Sequence, residues 1–108
     1  MSDMMLTQQE AERMILNHYG QAKQETQAVQ ELTEVILLLT ARPDQRKGDY
    51  KAKLTEEIAD AIVMIEQVKM MHCISDDDIT ENIVYKLRRT LDRIDKELQH
   101  ERENLQTG

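Results

Sequence analysis

Apolar residues recur along this chain three and four positions apart, which predicts helices and no strands. The clearest stripe is Ile79, Ile83, Leu87, Leu91, Ile94 and Leu98. Ser75 and Asp78 stand before it as a capping box, with Ile74 and Ile79 placed as the staple. At the other end "TQQE" (Thr7–Glu10) is a second capping box, with Leu6 and Ala11 on either side of it. It opens a helix that carries Met14 and Ile15 and stops at Gly20, a residue suited to a helix C-terminus. A second helix runs from about Gln21 to Ala41, because the residue before Pro43 is pushed out of helical conformation. The polar turn Arg42–Asp49 follows, then a third helix from about Tyr50 to Met71, ended by "HCISDDDI". The tail from about residue 99, "HERENLQTG" in its last nine positions, is polar and is expected to fray. The pattern predicts one all-α domain over residues 1–108, a four-helix bundle without internal repeats or linkers.

The two middle helices are not simply amphipathic. In "LTEEIADAIVMIEQV" (Leu54–Val68), Glu57 and Asp60 sit among Ile58, Ala61, Ile62, Val63, Met64 and Ile65. A helix apolar on most sides is buried, and a buried carboxylate costs several kcal/mol unless it is paired, protonated or bound to a metal. The second helix has its own pair, Glu31 and Glu34, ahead of the apolar block Val35–Leu39. If the two helices form an antiparallel hairpin, Glu34 lies seven residues before its end and Glu57 seven residues after Tyr50. Both then stand about 10 Å from the turn, with Glu31 level with Asp60. Four carboxylates at one height repel one another, and without a cation some must take up protons. An all-oxygen site of this kind suits Mg²⁺ or Mn²⁺. One acidic pair in a chain with 21 acidic residues is ordinary solvated surface. Two pairs set in apolar sequence, equidistant from one turn, point further.

Charge and composition narrow the classes. A net charge of −7 argues against nucleic acid or an anionic membrane as partner. The longest apolar run, "VILLL", is far short of the roughly 20 residues a membrane span needs. "MSDMMLTQQE" has neither the basic start nor the apolar core of a signal peptide. The single cysteine, Cys73, fits a reducing cytoplasm. With no Trp or Phe, the core must come from Leu, Ile, Val, Met and Ala, and the seven Met read as core filling. So little can be buried per chain that an oligomer is expected. Val35–Leu39 spans the whole circumference of the second helix, so a symmetric dimer sharing the second and third helices is the simplest arrangement.

Other metal readings find less support. A di-iron bundle needs two E-x-x-H motifs, and the chain has one, Glu97–His100, in its polar tail. His72 beside Cys73 lacks the second cluster of a zinc site. The acidic pattern itself resembles a known family. Glu31-x-x-Glu34 is followed, after the 22 residues from Val35 to Glu56, by Glu57-x-x-Asp60. This is similar to the E-x-x-E…E-x-x-D signature of the MazG-like all-α nucleoside triphosphate pyrophosphohydrolases. "QAVQELTEVILLL" looks like that family's second helix, "LTEEIADAIVMIEQVKMMHCI" like its third and "ITENIVYKLRRTLDRI" like its closing helix. The resemblance spans about Ile15 to Ile94.

It implies a MazG-like four-helix fold assembled as a homodimer or homotetramer, and Mg²⁺-dependent hydrolysis of an NTP or dNTP to the monophosphate and pyrophosphate. A role in cleansing the nucleotide pool would follow. Glu31, Glu34, Glu57 and Asp60 would be the metal ligands, with Glu31 or Glu34 as general base toward the attacking water. The closing helix of the family supplies cations to the phosphates, which points to Lys86 and Arg93. Lys53, on the Glu57 face, is a third candidate. The contrasting expectation is a helical binding module without turnover; carboxylates at all four positions argue against it.

Overall fold

Residues 5–107 are described in the computed structural model; the start of the chain, where no signal peptide is expected, lies partly outside them. They form four α-helices and no strand: α1 (Gln8–Tyr19), α2 (Gln21–Leu39), α3 (Tyr50–Met71) and α4 (Asp76–Thr107). A 3₁₀ turn, Pro43–Gln45, lies between α2 and α3.

Local chemistry accounts for most of the boundaries. The Thr7 hydroxyl accepts from the Glu10 N–H at 3.0 Å, and the Glu10 carboxylate accepts from the Thr7 N–H at 3.4 Å, a complete capping box. Gly20 alone separates α1 from α2; its φ of 89° is open to glycine and strained for any other residue. Ser75 caps α4 by accepting from the Asp78 N–H at 3.1 Å. Asp76, Asp77 and Asp78 place three negative charges at the positive end of the α4 dipole.

Two ends differ from the sequence pattern. The second helix stops at Leu39 instead of Ala41. The Arg46 guanidinium donates to the carbonyls of Leu39 (2.9 Å) and Ala41 (3.0 Å), and the Tyr50 hydroxyl donates to that of Leu38 (2.7 Å). The carbonyls that a further turn would have used are thus satisfied from the loop. The polar tail stays helical to Thr107 instead of fraying near residue 99. It consists largely of good helix formers (Glu, Arg, Gln, Leu), and Gln99 donates to Glu103 one turn on at 3.4 Å.

The chain divides into two compact units, residues 1–73 and residues 74–108. In the first, the early part of α2 meets the late part of α3, as in an antiparallel hairpin: Gln24 donates to Gln67 at 2.8 Å and Glu25 pairs with His72 at 2.9 Å. Helix α1 packs on both. The core is small: Leu16, Ala28, Ala61 and Met64, with buried Glu12, Gln24 and Gln67 among them. Much apolar surface is left open. Val29 is 66% exposed and Ile36 and Leu37 are 59% exposed on α2; Ile58, Ile62 and Ile65 are exposed on α3. In the second unit the α4 stripe, Ile83, Leu87, Leu91, Ile94 and Leu98, is exposed as well. Among the described residues no helix is long and apolar enough to cross a membrane.

Candidate metal centre

On α2 the inward line runs through Gln24, Ala28, Glu31, Val35 and Leu38, all buried or half-buried. On α3 it runs through Leu54, Glu57, Ala61, Met64 and Val68. Glu31 and Glu57 therefore face each other across the hairpin, and Asp60 stands one turn beyond Glu57. One carboxylate oxygen from each of Glu31, Glu57 and Asp60 lies within 4.8 Å of the others. Glu31 and Glu57 are half-buried and Asp60 is exposed, so the group has a covered side and a wet side. Gln27 holds Glu31 in place by donating to its carboxylate at 2.7 Å.

Burial pushes the Glu57 carboxyl above the ordinary carboxylate range, and the negative charges of Glu31, Asp60 and Glu34 push it further. A hydrogen bond between Glu57 and Glu31 also favours the protonated form. A proton on Glu57 lessens the repulsion it feels from its acidic neighbours. The donor set fits a hard divalent cation such as Mg²⁺ or Mn²⁺.

Glu34 is exposed and is not among the converging oxygens, though its charge is felt at Glu57. It is about 60° round the helix from Glu31, since three residues fall short of a full turn. Lys53 lies one turn before Glu57 and pairs with Asp49 at 3.6 Å, away from the acidic group. Lys86 and Arg93 are exposed residues of α4 in the second unit. Arg93 lines an open groove there with Arg88, Arg89 and Lys96, and Arg89 lies over the Tyr85 ring at 5.6 Å. The Glu25 carboxylate occupies His72, and Cys73 is exposed at φ 53°, closing α3.

Sequence reasoning passed over three glutamines. Gln24, Gln27 and Gln67 line a cavity of about 240 Å³ whose wall also includes Glu31 and Asp60. Ile15, Val63 and Met64 supply its apolar side. The signal was available: Gln24, Gln27 and Glu31 recur at i, i+3, i+7, and Gln67 follows Asp60 by seven, so polar residues hold inward positions on both helices. Comparison with protein-family models, curated proteins and solved structures finds no match to this chain.

Proposed function

We propose that this protein is a MazG-like nucleoside triphosphate pyrophosphohydrolase that cleaves an NTP or dNTP to the monophosphate and pyrophosphate with Mg²⁺ or Mn²⁺. The observation that carries the reading is the convergence of Glu31, Glu57 and Asp60 within 4.8 Å on two facing helices. Glu57 and Asp60 would hold the cation from α3 and Glu31 from α2. When bound, the cation neutralises phosphate charge and lowers the pKa of a coordinated water.

On this reading Glu34, an exposed residue, would join the ligand set or take a proton from water as general base. Its exposure suits the second role, because a base must exchange its proton with solvent between turnovers. Gln27 keeps the Glu31 oxygens oriented. Lys86 and Arg93 are assigned to the substrate phosphates by the family resemblance, and Lys53 by its position one turn before Glu57. The same reading makes the protein a homodimer or dimer of dimers, whose shared interface covers the exposed apolar faces of α2 and α3.

A panel of NTPs and dNTPs incubated with Mg²⁺, with products separated, tests the reaction. The expected products are monophosphate and pyrophosphate in equal amounts, abolished by chelator. Orthophosphate as the product would move the cleavage position. Tight Mg²⁺–nucleotide binding without turnover would favour the binding module.

A further inference from the structure

Helix α4 is 32 residues long, about 48 Å, and its apolar stripe is exposed from Ile83 to Leu98. A continuous apolar stripe of that length is an association surface. Its spacing is that of a coiled-coil seam. Val84, Leu91, Leu98 and Leu105 recur every seven residues, and Leu87 and Ile94 fall three residues after the first two of them.

The charges along one edge of the seam indicate what covers it. Glu81, Arg88, Asp95 and Arg102 also recur every seven residues, and they alternate in sign. None of the four forms an ion pair among the described residues. The alternation is centred on the helix. Glu81 and Arg102 are equidistant from the point between Leu91 and Asp92, as are Arg88 and Asp95, and that point is the middle of α4. A second α4 laid antiparallel about it sets Glu81 opposite the partner's Arg102 and Arg88 opposite the partner's Asp95. By the two-fold symmetry each pair occurs twice. Residues at the edges of a seam are the ones whose ion pairs select partner and orientation. The apolar positions agree: Leu87 meets the partner's Leu98 and Leu91 meets the partner's Ile94, about a centre one residue further on. A parallel pair in register would instead set Glu101 against its own copy in the seam and bring the two Asp76–Asp78 clusters side by side. Like charges so placed oppose that arrangement.

We propose that α4 pairs with α4 of a second copy as an antiparallel two-stranded coiled coil centred between Leu91 and Asp92, its direction set by Glu81, Arg88, Asp95 and Arg102. This pairing is independent of the reaction proposed above. Together with an interface through α2 and α3 it makes a dimer of dimers; by itself it makes a dimer.

The test exchanges charges in the full chain and measures self-association by sedimentation equilibrium, with circular dichroism as the check on helix content. Arg88→Glu and Asp95→Arg each turn two attractive pairs per dimer into repulsive ones. Each should raise the dissociation constant of one association step by about tenfold or more. An equimolar mixture of the two variants restores every pair, but only between unlike chains. It should associate as tightly as the wild type, and mass spectrometry of the complex should find one chain of each kind in the pair. A local effect on either helix would not be mended by mixing. The chain carrying both exchanges should recover self-association too. If a single variant loses helix content, Glu81→Lys and Arg102→Glu test the outer pairs in the same way. A wild type that does not self-associate, single variants that associate as the wild type does, or a mixture no tighter than either variant alone overturns the inference; the stripe would then belong to another partner.

Discussion

Glu57 is where the sequence's electrostatic conflict becomes measurable. Its carboxyl is raised, by burial first and then by Glu31, Asp60 and Glu34, so the folded chain holds this proton more tightly than the unfolded chain does. The stability gained is fully present below the ordinary carboxylate range and is lost as pH rises through the folded pKa. Without metal, the Tm difference between wild type and Glu57→Gln should therefore grow in the variant's favour from about pH 5 to pH 7. Added Mg²⁺ at pH 7 should stabilise the wild type by mass action and the variant less. Thermal melts in chelator and in millimolar Mg²⁺ check both; a pH-independent difference and indifference to Mg²⁺ would return these acids to ordinary surface. In turnover, Glu57→Gln and Asp60→Asn should each cost at least about a hundredfold in kcat while leaving helix content intact, as loss of a principal electrostatic contributor does. Spacing alone made Glu31, Glu57 and Asp60 legible, because acids within apolar helices demand a partner. Glu34 differs from its neighbour in placement: a shared side at i, i+3 still leaves two residues about 60° apart, and of the pair Glu31 lies on the inward line while Glu34 is exposed. The glutamines went unread because an uncharged amide at an inward position raises no electrostatic alarm.

Helix ends were legible where one residue decides them: Thr7 with its reciprocal Glu10, Gly20 at φ 89°, and Ser75 below Asp78. The end of α2 was not, because what closes it lies elsewhere in the sequence. Arg46 reaches back seven residues to Leu39 and Tyr50 twelve to Leu38. The polar turn Arg42–Asp49 therefore supplies a C-terminal cap, with Arg46 also lying over the Tyr50 ring at 5.5 Å. Tyr50→Phe keeps the ring and removes the hydrogen bond, and should cost about 1 kcal/mol of stability. Chemical denaturation would show this as a lower midpoint at unchanged slope. An unchanged midpoint would mean that water serves the Leu38 carbonyl equally well. The tail misled for a related reason: polarity was read as fraying, whereas Glu, Arg and Gln hold a helix well on intrinsic propensity.

At the scale of the whole protein, four buried apolar side chains in α1–α3 are few for an independent fold, and Val29, Ile36, Leu37, Ile58, Ile62 and Ile65 stay exposed. Periodicity identified these apolar faces but could not say what covers them, since a sequence pattern does not distinguish the chain's own helices from those of a second copy. On the dimer reading, sedimentation equilibrium at micromolar concentration should give twice or four times the chain mass, and Tm should rise with protein concentration. A stable folded monomer would show that those faces are content in water. The site and the assembly meet in one claim, that water directed by Glu31, Glu57 and Asp60 attacks the α-phosphorus of a nucleoside triphosphate. Hydrolysis in ¹⁸O-labelled water with Mg²⁺, followed by mass analysis of both products, tests it most directly. The label should enter the nucleoside monophosphate and leave the pyrophosphate unlabelled, and incorporation into the monophosphate should be largely lost in Asp60→Asn. Label in pyrophosphate or orthophosphate, or no metal-dependent incorporation with any nucleotide, would contradict it.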